Sequence, residues 1–472
     1  MILSFLIILL VIALVGLSAG RLSKPNKADY YLAGKSLSPW IVGLSAMATN
    51  NSGYMFIGLI GFTYLVGLPS IWLMIGWIVG DFLISRTVHK KINQAATENS
   101  NVTYASVIGA WAGQGQFITK FIGLLSLIFL IVYASAQFVS GGKTLMVIFG
   151  WDLWLGIGIG SIIVFMYTMV GGIRASIWTD VVQAFVMVCS MTILVVTCFL
   201  SLGGINVAIN EWLLVDNFLN FFPPEIEHSI FLKAIYPVSW LVAGLFVIGQ
   251  PHIMVRVMAL KDPELIEIAR YHYYFWYLIF YFLAFCVGML SKIYLDSHNT
   301  FDPELALPMM ALELLSPFMI GVIIAGIFAA TMSTADSLII NCSGNISQDL
   351  FKSKNFSSAQ IKLITFAVAS VATAIALMNN NSVFLIVIYA WTLLGISFAP
   401  LIIILSMGKK ITVKTYVIGL IIGIVSFLII NHYDINKFIY GGFIPFCLNF
   451  SYVYLKSQKN KLNYQIKKSK LV

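Results

Sequence analysis

Long apolar stretches recur along the whole sequence and restrict the possible folds more than any other feature. Each has roughly 18 residues or more, enough to cross a hydrocarbon core of about 30 Å as an α-helix. Helices are favoured over a β-barrel because the stretches are continuous and not alternating. The chain is 60% apolar and 10% charged, far from the composition of soluble proteins. We therefore predict an all-α polytopic membrane protein.

The apolar stretches predict thirteen transmembrane helices. Their predicted bounds are 2–19, 38–66, 68–85, 117–145, 153–170, 178–203, 233–252, 271–292, 317–340, 362–378, 384–407, 412–430 and 437–455. No basic residue precedes the first stretch, so it is predicted to be a retained span and not a signal peptide. The two longest loops, 204–232 and 293–316, are predicted to hold short outer helices.

The positive charges predict the orientation in the membrane. Nearly all of the 28 Lys and Arg residues, Arg256 among them, fall in alternate loops and in the C-terminal tail. The exceptions are Lys143, Lys233, Lys292 and Lys437. By the positive-inside rule, the N-terminus lies outside and the C-terminus in the cytoplasm of a plasma (inner) membrane. The charge is spread over short loops, so it favours membrane-surface anchoring over nucleic-acid binding.

Two predicted spans contain helix-breaking residues near their middle. The second contains ATNNSG (48–53), and the seventh contains AGLFVIGQPH (243–252), where Gly249 and Pro251 end regular hydrogen bonding. If the first span is an extra helix, these breaks lie in the first helices of two consecutive five-helix sets. This arrangement is typical of transporters with a five-plus-five inverted repeat, in which discontinuous helices bind ions and substrate. A simple kink without a ligand is the alternative.

The ninth span ends in GIFAATMSTADSLIINCSG, which is unusually polar for a membrane helix. Ser333, Asp336 and Ser337 share one helix face, so their oxygens converge. Oxygen ligands are what a small hard cation such as sodium requires. The alternative is a polar patch that only packs helices together.

Two other carboxylates lie in or beside predicted spans. Asp81 lies near the inner end of its helix. Its carboxylate would need no further explanation if it only reached the cytoplasmic lipid headgroups. Asp180 is predicted to lie at the start of a helix, where a carboxylate also interacts favourably with the helix dipole. Neither position by itself decides between a structural and a functional role.

Five segments, in order and spacing, resemble the sodium:solute symporter family, and they cover the chain from about residue 28 to 350. They are ADYYLAGKSLS, GLSAMATNNSGYMFIGLIG, YTMVGGIRASIWTDVVQ, GQPHIMVRVMA and AATMSTADSLI. The resemblance implies an inverted-repeat core and a sodium site, made by the carbonyls of Ala48, Asn51 and Ala330 and the hydroxyls of Ser333 and Thr334. It also implies a possible second cation site at Ser333, Asp336, Ser337 and Asp180. Asp336 replaces a frequent hydroxyl there, so it would either strengthen cation binding or carry a proton.

Within this family the chain looks most similar to sodium/proline symporters. The resemblance implies substrate contacts at Ser52, Gly53, Tyr54, Gly58 and Tyr133. Asn50 takes the place of an aspartate. Both Asn50 and Gln137 would be able to donate and to accept hydrogen bonds. Ala243 and Val247 replace two aromatic residues of the proline symporters, which implies a larger or differently shaped ligand.

The expected function is sodium-coupled import of a small organic solute, such as the amino acid proline, by alternating access. The alternatives are sodium-coupled uptake of a sugar, carboxylate or vitamin, or a solute sensor or channel with the same fold. The co-transported sodium ion, the solute and the lipid bilayer are the expected partners, with no nucleic acid. An enzyme is not expected, because no nucleophile–base pair, metal-ligand spacing or phosphate loop is recognised. The expected parts are an N-terminal extra helix with its loop (1–37), a transport core (38–407), and two C-terminal helices with a basic tail (408–472).

Overall fold

The computed structural model describes residues 1–22, 27–98, 101–113, 115–169, 172–295, 301–351, 356–378, 382–433 and 439–469. Lys437 and the first residues of the predicted span 437–455 lie outside this part of the chain. The described residues form helices and no β-strand, which confirms the predicted all-α class. The α-helices are α1 (Ile2–Arg21), α2 (Lys27–Leu32), α3 (Pro39–Asn50), α4 (Leu59–Val66), α5 (Ile71–Glu98), α6 (Tyr104–Trp111), α7 (Gly115–Phe149), α8 (Leu153–Thr168), α9 (Gly172–Leu202), α10 (Ile205–Leu213), α11 (Ile230–Leu245), α12 (Pro251–Ala259), α13 (Ile266–Leu295), α14 (Ala306–Leu314), α15 (Pro317–Gly344), α16 (Ser358–Met378), α17 (Val383–Ser406), α18 (Val413–His432) and α19 (Phe443–Ser469).

Ten helices in the described part of the chain are long and apolar enough to cross a membrane, against thirteen predicted spans. The second predicted span is divided between α3 and the shorter apolar helix Tyr54–Val66. The span predicted at 153–170 is represented by the short helix α8. The span predicted at 437–455 falls on α19, which continues into a strongly basic sequence. The multi-pass character is therefore confirmed.

Several helices extend beyond the apolar stretches that predicted them. The predicted span 68–85 corresponds to α5, which continues to Glu98. The extension keeps Val88, Ile92 and Ala96 buried on one face, so an amphipathic helix follows the membrane-spanning part. Hydropathy alone ends a span at the first charges and misses such a continuation. The predicted short helices in the loops 204–232 and 293–316 are present as α10 and α14.

Helices α5 and α11 approach each other closely enough for their backbones to touch. A Cβ atom added to Gly80 would lie 2.0 Å from the carbonyl oxygen of Leu241. One added to Gly244 would lie 2.1 Å from the carbonyl oxygen of Trp77. No side chain larger than hydrogen fits at these two positions, so glycine permits the contact, as small residues do at helix interfaces in membranes.

Helix α15 passes through the interior of the bundle. Within its apolar part 83% of the residues are buried inside the protein, whereas the corresponding value for α1 is 28%. Pro317 occupies the first turn of α15, where its missing N–H leaves no hydrogen bond broken. The polar segment from Thr331 to Ser337 is therefore enclosed by protein and does not face lipid.

Candidate functional site

The second predicted span is interrupted within the sequence that suggested a break. Helix α3 ends at Asn50, and Asn51 has φ −82° and ψ 67°, outside helical values. A short π-helical segment, Tyr54–Gly58, then leads into α4. The polar residues at the break are buried, so their backbone groups are available to the protein interior and not to bulk water.

The polar segment of α15 lies directly against this break. The Ser333 Oγ is 3.0 Å from the carbonyl oxygen of Ala48 and 3.0 Å from that of Ala330. The Thr334 hydroxyl donates to the carbonyl oxygen of Thr49 at 2.9 Å. The structure thus brings Ala48, Ala330 and Ser333 together, with Thr334 beside them. Oxygen atoms of the kind that hard cations require therefore converge from two separate elements at this point.

Asn51 is placed differently from the other predicted sodium ligands. Its side-chain amide donates to the sulfur of Met47 at 2.8 Å, and its Oδ1 is buried without a hydrogen-bond partner in the described protein. No hydrogen bond among the described residues links Asn51 to the hydroxyls of α15. Its implied role as a carbonyl ligand therefore stays a prediction.

The residues predicted for a second cation surround a buried arginine. The Asp180 Oδ2 is 3.0 Å from Nη2 of Arg256, and both side chains are fully buried. The Asp336 Oδ1 accepts hydrogen bonds from Ser337 at 3.0 Å and from Ser176 at 3.2 Å. The same Arg256 Nη2 contacts the hydroxyls of Ser176 and Ser337. Arg256 therefore pairs directly with Asp180 and is connected to Asp336 through the hydroxyls of Ser176 and Ser337.

Arg256 was wrongly assigned to a cytoplasmic loop. It lies in α12, which begins at Pro251, and its Nη1 donates to the carbonyl oxygen of His252 at 2.7 Å. The available signal was the segment PHIMVR, because a proline in the first turn can start a new helix after the break. The expectation that Asp180 starts a helix was also wrong, since α9 begins at Gly172 and Asp180 lies inside it.

The second break is held by a side-chain amide. Between α11 and α12 the chain forms one 3₁₀ segment, Phe246–Gly249, and Gln250 is extended. The Gln250 Nε2 donates to the carbonyl oxygens of Phe246 at 3.2 Å and Trp391 at 3.1 Å. The Phe246 carbonyl at the break thereby gains a hydrogen bond, and the bond to Trp391 ties α17 to this point.

Four of the predicted substrate residues lie together at the first break. The Gln137 Oε1 accepts from the backbone N–H of Gly53 at 2.8 Å. The Ser52 Oγ is 3.2 Å from the Tyr54 backbone nitrogen and 3.3 Å from the Tyr133 Oη. These four residues and Tyr54 are all buried. This cluster combines hydroxyl, amide and aromatic groups, as a site for a small polar solute requires.

The other predicted substrate residues lie around this cluster. The Tyr54 ring stacks on Phe384, with ring centroids 5.4 Å apart, and lies 5.8 Å from Trp77. Gly58 packs against the backbone of Phe384. Asn50 contacts α13, where its Nδ2 donates to the Tyr273 hydroxyl at 2.6 Å.

His252 was not recognised from the sequence as a candidate. It is fully buried, and neither ring nitrogen has a hydrogen-bond partner in the described protein. Its ring packs edge-on against Tyr133, with 5.4 Å between centroids. Its place two residues after the glutamine of the second break was the available signal.

Gly53 leaves almost no space for a side chain. A Cβ at this position would lie 2.5 Å from the Ser140 Oγ and 2.8 Å from Cγ2 of Thr331. We expect Gly53→Ala to lower solute uptake at least about tenfold, because overpacking of about 1–3 kcal/mol would displace the break. Gly158→Ala is the matched control, since nothing lies within 4 Å of a Cβ there. Equal uptake by the two variants would contradict this expectation.

Asp81 does not reach the headgroups, contrary to the alternative considered for it. It is fully buried and accepts hydrogen bonds from the hydroxyls of Tyr273 at 2.6 Å and Tyr274 at 2.8 Å. Both tyrosines belong to α13. A buried carboxylate therefore links α5 and α13 inside the bundle.

Comparison with known proteins places this architecture in a family. The family model described as "Sodium:solute symporter family" matches residues 30–423. The chain is 30% identical to the high-affinity proline transporter PutP of Bacillus subtilis (strain 168), over 92% of this chain and 93% of that protein. It is 28% identical to the sodium/proline symporter of Escherichia coli (strain K12), over 95% of this chain and 93% of that protein.

Two solved structures share the fold. One is a Na⁺-coupled sialic acid symporter in a substrate-bound outward-open state, with a TM-score of 0.79, 18% identity and 96% coverage of both chains. The other is Mhp1, a nucleobase-cation-symport-1 family transporter, with a TM-score of 0.60, 14% identity, and coverage of 92% of this chain and 96% of that one. With the family match over most of its length, the chain belongs to the sodium:solute symporter family.

Proposed function

We propose that this protein is a secondary active transporter that imports a small amino acid, with proline as the first candidate, together with sodium. Its family and its relatives named as proline transporters support this proposal. Alternating access would expose the site in turn to the two sides of the membrane. Binding of sodium would favour the substrate-competent state through its differential affinity for the two states.

The contact between α15 and the end of α3 is the observation that supports the coupling most directly. Ser333 lies 3.0 Å from the Ala48 and Ala330 carbonyl oxygens, which belong to different elements. In the proposal, sodium takes ligands from Ala48, Asn51, Ala330, Ser333 and Thr334. An ion bound there would hold the break in α3 against α15, so ion binding and the shape of the substrate site would depend on each other.

The buried charges extend the proposal to a second cation. Asp180 and Asp336 contribute two negative charges, and Arg256 contributes one positive charge to the same group of contacts. Ser337 contacts both Arg256 and Asp336. A second sodium ion or a proton at Asp336 would neutralise the remaining charge, which is costly to keep isolated inside a protein.

The first break offers groups for the carboxylate and the apolar part of an amino acid. The backbone N–H groups of Gly53 and Tyr54 donate to side-chain oxygens of Gln137 and Ser52. A substrate carboxylate could replace these oxygens at the start of the helix that follows, where the helix dipole favours negative charge. Tyr54, Tyr133 and Gly58 would then shape the apolar part of the site.

The same proposal includes the topology. We infer thirteen spans, a five-plus-five inverted repeat over 38–407, an extra first helix in 1–37 and two C-terminal helices in 408–472. The N-terminus would lie outside and the C-terminus in the cytoplasm of a plasma (inner) membrane. One pairing supports placing these two regions on the same side, because Lys143 contacts Asp302 and Glu304 in the predicted outer loop 293–316. The choice of the outer side rests on the positive-inside rule.

Purified protein in proteoliposomes tests the function. An inward sodium gradient is expected to drive saturable, electrogenic uptake of labelled proline, with a panel of amino acids, sugars and carboxylates as competitors. A channel would show no saturation. Competition by a sugar or carboxylate alone would identify another solute class. Uptake driven by a proton gradient and unchanged by sodium removal would contradict the coupling.

A further inference from the structure

A chain of hydrogen bonds joins the end of α3 to a carboxylate inside α5, and the function proposed above does not use it. The Asn50 Nδ2 donates to the Tyr273 hydroxyl at 2.6 Å, and that hydroxyl donates to the Asp81 Oδ2 at 2.6 Å. Asp81 and Tyr273 are buried, and Asn50 keeps 6% of its surface accessible. Three helices, α3, α5 and α13, meet in this chain.

The chain has a defined direction because each group has limited hydrogen-bonding ability. A carboxylate only accepts, so the Tyr273 proton points to Asp81. The Tyr273 oxygen then accepts, and the group of Asn50 that can donate to it is the amide nitrogen. The Asn50 Oδ1 is left at the opposite end of the amide, free to accept a hydrogen bond. Asp81 thus decides which end of the Asn50 amide faces away from α13.

The far side of Asp81 is fixed independently. Tyr274 donates to the Asp81 Oδ1 at 2.8 Å, and its hydroxyl is 2.7 Å from the Ser85 Oγ. Arg270 donates from Nε to the same Ser85 oxygen at 2.9 Å. The Arg270 guanidinium therefore lies three hydrogen bonds from Asp81, connected through Ser85 and Tyr274.

Position 50 adjoins the proposed substrate site. Asn50 is the last residue of α3 and precedes the break that contains Ser52 and Gly53. The family resemblance implies an aspartate at this position, whereas this chain has an amide. An aspartate at position 50 would present an oxygen to the site in either orientation of its side chain. An asparagine presents an oxygen there only when its amide nitrogen points to Tyr273.

We propose that Asp81, acting through Tyr273, orients the Asn50 amide so that its oxygen accepts a hydrogen bond from an N–H group of the substrate. This inference rests on the proposed import of an amino acid. Asp81 and Tyr273 are positioning residues, and Asn50 is the residue that contacts the substrate. The site then selects solutes that carry an N–H donor over analogues whose nitrogen is fully alkylated.

Two neighbouring tyrosines provide a matched test. Labelled-proline uptake is competed with proline and with N,N-dimethylproline, which has no N–H group, in the wild-type protein, Tyr273→Phe and Tyr274→Phe. The wild-type protein is expected to prefer proline about tenfold or more, equivalent to about 1.4 kcal/mol. Tyr273→Phe should lose this preference, and Tyr274→Phe, which leaves the link to Asn50 intact, should keep it. Equal competition by the two compounds in the wild-type protein would overturn the inference.

An exchange of the two side chains tests the direction of the chain. In Asp81→Asn the Tyr273 proton can turn to the Asn50 oxygen, so the KM for proline is expected to rise about tenfold, or about 1.4 kcal/mol. In Asn50→Asp two carboxylates compete for one hydroxyl proton, and the KM should also rise. The double variant Asn50→Asp/Asp81→Asn restores one carboxylate and one amide, so most of the affinity should return.

The outcomes separate this inference from the proposed function. The role of Asp81 would be overturned if the KM for proline of the double variant were no lower than that of the single variants. It would also be overturned if Asp81→Asn kept the wild-type KM and N–H preference. Neither result would affect the proposed uptake by the wild-type protein. Absence of sodium-driven uptake of any amino acid by the wild-type protein would overturn the proposed function, and this inference with it. Recovery in the double variant also excludes misfolding as the cause of the losses in the single variants.

Discussion

Ser333→Ala is expected to raise the sodium concentration needed for half-maximal uptake by about 10–100-fold. The substitution removes the hydroxyl that lies 3.0 Å from both the Ala48 and the Ala330 carbonyl oxygens. A hydrogen bond or ligand to a charged group is worth about 1.5–3 kcal/mol, which corresponds to this range. Uptake measured over a series of sodium concentrations at fixed proline gives the value directly.

The control for Ser333→Ala is Ser343→Ala on the same helix. Ser343 is buried near the end of α15 and is 3.1 Å from the Thr365 hydroxyl of α16, far along the helix from the break. This variant should keep the sodium dependence of the wild-type protein. An unchanged sodium affinity in Ser333→Ala would remove the main support for the proposed ion site.

Arg256→Met is expected to lower the free energy of unfolding by about 3–5 kcal/mol, because it leaves the buried Asp180 carboxylate without its positive partner. The Arg256 guanidinium contacts Asp180 and the hydroxyls of Ser176 and Ser337, and it has no exposure to solvent. Thermal unfolding in detergent, followed by intrinsic tryptophan fluorescence, measures the change as a large fall in Tm. Uptake should be lost in parallel.

Two further variants show whether this loss arises from unpaired charge. Lys233→Met removes a cation of similar length from a partly exposed pair with Glu227, so its Tm should change little. Arg256→Met combined with Asp180→Leu removes both members of the buried pair and should recover part of the stability lost in the single variant. A double variant less stable than Arg256→Met would show that the loss of stability does not arise from the unpaired Asp180 carboxylate.

The breaks in the membrane helices could be anticipated from local chemistry. Asn50, Asn51 and Gly53 disfavour a continuous helix, and the chain leaves helical geometry at Asn51. Pro251 similarly begins a new helix after the second break. These features depend on residues next to one another in sequence, so a single sequence contains enough information to identify them.

The buried charge network could not be anticipated in the same way. Arg256 and Asp180 are distant in sequence and meet only because α9, α12 and α15 pack together. A local pattern shows a charged residue near the end of a span, for which a loop is the simplest interpretation. Asp81 was similarly ambiguous, because its partners Tyr273 and Tyr274 lie on α13, far along the chain.

The length of an apolar stretch also gave incomplete information about the helices. Ten described helices meet the requirements for a continuous span, whereas the discontinuous second span does not, because its halves are short. Resemblance to the family identified candidates such as Ser52 and Tyr133, which lie within 3.3 Å of each other. Their roles in binding sodium or substrate stay predictions until transport is measured.

The glycine contact between α5 and α11 has a mechanical consequence for the transport cycle. Gly80 and Gly244 bring one backbone against the other, so at these two positions no side chain could change rotamer and let the two helices slide. A shift along either axis would drive a neighbouring side chain into the opposing carbonyl groups. We therefore expect the two helices to move as a single rigid piece, with bending at the unwound residues near Asn51 and Gln250.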